Sequence, residues 1–121
     1  MIQKETPVIK RIQLALGSGP DTRLFRNETG LFWAGTNPEY LSGRRVILHN
    51  WSRVSAGLTK KGSSDLIGIE GDGRFIAIEV KLPGTATPEG QEHFIQMVLD
   101  RNGIAGFVKD VAEAKALLGR G

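Results

Sequence analysis

The chain has 121 residues, 40% hydrophobic and 24% charged, with a net charge of +3, which fits one ordinary globular domain over residues 1–121 with a modest core. No apolar run approaches the ~20 residues that span a bilayer, and the start, MIQKETPVIKRIQ, lacks the apolar segment of a signal peptide, so a cytoplasmic protein without membrane attachment is expected. Cysteine is absent, which excludes disulfides and thiolate metal sites; His49 and His93 lack ligand spacing, so any metal must rest on carboxylates.

Residues 5–16 predict the first helix. Glu5, Ile9, Ile12 and Leu16 fall on one helical face, Pro7 is tolerated in the first turn, and Gly17 is a natural stop. Glu5 stands at the entry end of that buried stripe. Two accounts fit it there: the helix dipole favours an acid, or its carboxylate points into a site. A loop over 17–21 leads to strands predicted over 22–28 and 30–35, with the bend near Asn27, Thr29 and Gly30. Arg26 and Asn27 sit where a polar pair could reach a phosphate, although turn chemistry explains Asn27 as well. Residues 36–45, with Asn37-Pro38 and Ser42-Gly43, predict an irregular excursion, and 46–48 a short strand. Trp33 and Trp51 could stack on bases, but packing is the expected role of each. Residues 57–64, GLTKKGSS, form a basic loop whose Lys60, Lys61 and backbone amides suit phosphates, with Ser63 and Ser64 at its end.

The chain is organised around residues 65–81, DLIGIEGDGRFIAIEVK, which predict a β-hairpin turning on Gly71-Asp72-Gly73. Alternation puts Ile76, Ile78 and Val80 on a core face and Phe75, Ala77, Glu79 and Lys81 on the other. Antiparallel register brings Asp65 beside Glu79 and Lys81. Two carboxylates at close range repel, and burial of either is costly unless it is paired. A divalent cation with hard oxygen ligands, magnesium or manganese, removes the penalty. The bland alternative is a set of surface ion pairs at strand ends.

After Lys81, Leu82-Pro83-Gly84 ends the strand. A helix is expected to start at Thr87-Pro88, end at Gly103, and turn Gln91, Phe94, Ile95 and Val98 inward. Gln91 is the polar member of that face and wants partners, from a site beside Lys81 or from a backbone carbonyl. His93 falls on the outer side. Residues 104–109 predict a strand, and Asp110 and Glu113 a capping box opening the last helix. Charge divides unevenly. Residues 1–64 carry ten Lys/Arg against four Asp/Glu, and residues 65–121 six against nine. The basic half, densest at Arg44, Arg45, Arg53, Lys60 and Lys61, is either a solvated face or, next to a carboxylate metal site, the cradle of a phosphodiester.

The order of helix, strands, helix, strand and helix, with D-x13-E-x-K on the central hairpin, resembles the PD-(D/E)XK nuclease superfamily. Within it the chain is similar to the virus-type replication-repair nuclease (VRR-NUC) domain in its stand-alone phage or bacterial form. The matching features are Glu5, LFRNETG (24–30), GSSDLIGI (62–69), RFIAIEVK (74–81) and TPEGQEHF (87–94). Ser64 stands where the superfamily's name has Pro, and residues 37–51 fit no part of the pattern.

The resemblance implies an α/β fold, restriction-endonuclease-like, with a mixed central sheet flanked by helices in the order α-β-β-β-α-β-α. It implies Mg2+- or Mn2+-dependent hydrolysis of DNA phosphodiester bonds, on branched DNA such as a junction or flap, by a homodimer. Asp65, Glu79 and the Val80 carbonyl would hold the metal, Glu5 would reach it directly or through water, Lys81 would be the catalytic lysine and Gln91 an accessory group. Exposed Tyr40, Leu41 and Trp51 would make the dimer contact. Two rivals are a catalytically silent DNA-binding module of the same fold and a domain acting on a small phosphorylated substrate. The second lacks a glycine-rich phosphate loop at a helix start.

Overall fold

Residues 5–28, 30–56, 64–85 and 89–120 are described by a computed structural model. In chain order the elements are α1 (Glu5–Leu16), β1 (Thr22–Arg26), β2 (Gly30–Tyr40), β3 (Val46–Ala56), β4 (Leu66–Glu70), β5 (Phe75–Val80), α2 (Glu89–Asp100), β6 (Ile104–Val108) and α3 (Val111–Leu117). The architecture is α/β, a mixed sheet flanked by helices. Five strands precede α2, the number predicted along the chain, whereas the order implied by the resemblance has three.

Four strands form the sheet in the order β1-β4-β5-β6. β1, β4 and β5 are antiparallel, and β6 runs parallel to β5, a pairing that requires a crossover, here α2. Burial is continuous from Ile76 to Val80 because β5 is a central strand covered on both faces. Ile76, Ile78 and Val80 join Val8, Ile9, Ile12 and Leu16 of α1, and Ala114 and Leu118 at α3, in one core. On the other face Ala77 and Ala105 meet Phe94, Ile95 and Val98 of α2. The period-2 alternation of a single strand therefore divides the core into two layers.

Local chemistry fixes the ends of these elements. In the β4–β5 turn Gly73 takes φ +92°. Its N–H donates to Glu70 O at 2.8 Å, and Glu70 N donates to Arg74 O at 2.9 Å, a three-residue loop closed by a left-handed glycine. The end of α2 differs from expectation: Asn102, not Gly103, adopts the left-handed conformation, at φ +65°. Gly103 serves close packing instead, since a Cβ there would lie 2.4 Å from Val98 Cγ1 and 2.9 Å from Phe75 O. At α3 the Asp110 side chain accepts from Glu113 N at 2.8 Å, and Glu113 Oε1 accepts from Lys109 N at 2.8 Å. The return bond of the expected box thus lands one residue early. Thr87 and Pro88 lie outside the described residues.

The expected irregular excursion over 36–45 is instead part of an ordered ribbon. β2 and β3 form a separate two-stranded antiparallel sheet, turned by Gly43 at φ +76° and closed by Leu41 N donating to Arg45 O at 3.0 Å. Irregularity survives only as register shifts between Ala34 and Thr36 and between Thr36 and Glu39, with Asn37 at φ +44° and Asn50 at φ +49°. Bulges of this kind absorb Pro38, which has no N–H for the ladder. Tyr40 is 79% exposed and Trp51 60%, with Leu41, Val46 and Ile47 also exposed. Trp51, expected to pack, stays outside the core, because β3 belongs to the ribbon and not to the covered sheet. The side chain of Trp33 lies outside the described residues.

Candidate active site

Pairing of Leu66 with Ile78 and Ile67 with Ala77 carries Asp65 to the end of β4 beside Glu79. The two residues bind each other reciprocally: Asp65 N donates to Glu79 Oε2 at 3.2 Å, and Val80 N donates to Asp65 Oδ2 at 2.9 Å. Glu79 lies on the α2 face of β5, where Gln91 Nε2 donates to Glu79 Oε1 at 2.8 Å. The first turn of α2 thus meets the strand end, and Gln91 finds the site rather than a backbone carbonyl. Lys81 follows on the same side, half-buried, with its backbone N–H tied to Val108 O at 2.9 Å.

Glu79 is only 3% exposed. Burial is the chief reason that its carboxyl is pushed up to about 9; a hydrogen bond to the Asp65 side chain, the Asp65 charge and the Glu5 charge add to it, against the Asp65 amide. Glu5, half-buried at the start of α1, is raised as well, first by burial and then by the Asp65 charge. Three carboxyl groups therefore share one negative field, which a proton on Glu79 or a divalent cation would each relieve. The donors are all hard oxygens, which suits magnesium or manganese. No preformed group of three His, Cys, Asp or Glu ligands stands among the described residues, so such an ion would complete its shell with the Val80 carbonyl and water.

The residues expected to face nucleic acid separate into three sets. Arg26, Arg44, Arg45 and Arg53 are exposed. Asn27 and Ser64 are 8% and 1% exposed, so their side chains cannot lie along a DNA surface. Asn27 Nδ2 instead donates to Ser64 O at 2.9 Å, and Asn27 N donates to Asp65 O at 2.8 Å. Asn27 thereby staples the strand that delivers Asp65 onto the end of β1. The sequence offered no signal for this role, because the partners are 37 positions apart. Ser64 Oγ has no hydrogen-bond partner among the described residues. Lys60, Lys61 and Ser63 lie outside the described residues.

No helix among the described residues is long and apolar enough to cross a membrane. No protein-family model matches the chain, and no curated protein matches it.

Proposed function

We propose that the chain is a Mg2+- or Mn2+-dependent deoxyribonuclease with a restriction-endonuclease-like fold, similar to the VRR-NUC domain and acting on branched DNA. One observation carries the reading: Asp65 and a buried Glu79 are paired within one hairpin, with Glu5 adding a third acid and Gln91 fixing Glu79. A purely structural ion pair would match acid with base; here acid meets acid, an arrangement that favours a cation. When bound, the ion would lower the pKa of a bound water and stabilise the charge that builds on the phosphate. Asp65, Glu79 and the Val80 carbonyl would hold it, with Glu5 reaching it directly or through water. Gln91 keeps the Glu79 carboxylate aimed, and Lys81 Nζ orients the attacking water. A homodimer belongs to the same reading, since one cleft cuts one strand and a two-fold pair suits a symmetric junction. Leu41 and Ile47 of the ribbon offer apolar surface to a second copy.

The test is incubation with flaps, splayed arms, four-way junctions and plain duplex, with Mg2+, Mn2+ or EDTA. Metal-dependent cleavage that prefers branched substrates is expected. Asp65→Ala, Glu79→Ala and Lys81→Ala should each lower it by at least ~10²-fold. Above about pH 9, where Glu79 is ionised, the two carboxylate variants should keep or raise the melting temperature in EDTA, because each removes a repelling charge. Retention of DNA on a gel without cleavage would turn the reading to a silent binding module. Light scattering should give about twice the 13.2 kDa chain mass.

A further inference from the structure

One face of the β2–β3 ribbon holds an open cleft of about 500 Å3 lined by Arg44, Val46, Leu48 and Trp51. Strand parity alone would not build it. In an unbroken strand residue 51 points away from residues 46 and 48. Asn50 at φ +49° inserts an irregularity that returns the Trp51 ring to the face of Val46 and Leu48. Asn adopts the left-handed conformation more readily than other residues with a side chain, so the chain makes this bulge without a glycine. What the irregularity achieves here is an exposed indole set between two aliphatic side chains and a guanidinium.

We propose that this cleft is a nucleic-acid site that takes an unpaired base onto the Trp51 ring and the adjoining phosphate onto Arg44. The inference rests on the nuclease reading for the identity of its polymer and narrows the substrate to DNA with unpaired bases. Charge and shape select this occupant. The described ribbon carries Arg44, Arg45 and Arg53 against Glu39, whose Oε2 lies 3.7 Å from His49 Nε2. A polyanion neutralises that excess, whereas a second copy laid on the same face would bring a surface of like net charge against it. Ile47, on the reverse face, remains available for a second copy. A base in duplex offers only its edge in a groove, whereas an unpaired base offers the flat surface that an indole stacks on, irrespective of sequence.

The experiment uses the full chain in EDTA, where no cleavage occurs, with fluorescein-labelled oligothymidylate, a gapped duplex and a blunt duplex as probes. Trp51→Ala should weaken the oligothymidylate and the gapped duplex by ~10-fold or more and the blunt duplex little, with circular dichroism and light-scattering mass unchanged. Trp51→Phe should restore most of the affinity. Arg44→Ala should flatten the salt dependence by about one unit. Unchanged oligothymidylate affinity in Trp51→Ala would overturn the proposal, as would an equal loss on blunt duplex. A change in mass would overturn it in favour of a contact between copies. A chain that never cuts yet shows the Trp51 dependence would sink the nuclease reading and keep this one.

Discussion

The molecule contains two antiparallel hairpins of similar local character and opposite fate. β4–β5 has a neighbouring strand on each edge and helices on both faces, so Leu66, Ile76 and Ile78 are wholly buried. Among the described residues β2–β3 pairs only with itself, and Val46, Ile47 and Trp51 remain about half exposed or more. Apolar side chains on a strand become core only where another layer covers them. The same contrast divides the chemistry. A covered strand end can raise a carboxyl and hold it in place, while an uncovered ribbon can meet a large partner.

The largest effect that would test this contrast is a truncation made once in each hairpin. Ile78→Ala should cost ~2–5 kcal/mol, the range for a large aliphatic core residue, while Val46→Ala on the exposed ribbon should stay within about 0.5 kcal/mol. Urea unfolding of the two variants reads the difference, and comparable losses would erase the distinction. Next in size is Asn27→Ala, expected to cost ~1–3 kcal/mol because the buried Ser64 carbonyl loses a donor. Calorimetry with Mn2+ should find weakened metal binding in the same variant, since Asp65 is held by that staple. Undiminished metal affinity would make Asn27 a residue of the fold alone.

A smaller effect concerns acid and base. The Glu79 carboxyl is raised in the folded chain, so its proton binds more tightly folded than unfolded. Its stabilising contribution is complete below the ordinary value near 4.5 and is lost as pH climbs toward about 9. In EDTA the melting temperature of the wild type should therefore fall across that window, and that of Glu79→Gln should fall less. Added Mn2+ should offset the decline most at the alkaline end; parallel profiles for the two proteins would show that Glu79 carries no excess proton. The smallest expected change is in stability on neutralising Arg44 and Arg45 together. The melting temperature should not move, while the salt slope of DNA binding should flatten by about one unit for each phosphate that the variant leaves unneutralised.

The carboxyl cluster of the candidate site was legible because its geometry is local. The turn at residues 71–73 fixes the register that sets Asp65 beside Glu79, and helical periodicity places Glu5 and Gln91 on inward faces. What escaped depends on pairings distant in sequence. β1 lies next to β4, with the whole ribbon between them in the chain, so the burial of Asn27 and Ser64 could not be read from their neighbours. A solvent-facing turn residue and a buried staple share the same composition signal. Trp51 escaped for another reason: burial is decided by cover, and a strand's own residues do not say whether a helix will lie on it. The ribbon's full extent was hidden by Asn37-Pro38, which suggests a break where the structure makes a bulge.

The Asn27–Ser64 bond has a consequence for the history and assembly of the chain. It pins together the two ends of the excursion that carries the ribbon, 37 positions apart. Loop-closure entropy grows only as the logarithm of length, about 0.6 kcal/mol per doubling. A ribbon that zips locally also shortens the stretch still to be closed when β1 docks on β4. The excursion can therefore lengthen, shorten or be exchanged at little cost to the sheet, provided that the staple is kept. Tolerance to insertion is thus concentrated in the segment that presents Trp51 and Arg44, and the carboxyl cluster is insulated from it by Asn27 and the β1–β4 ladder.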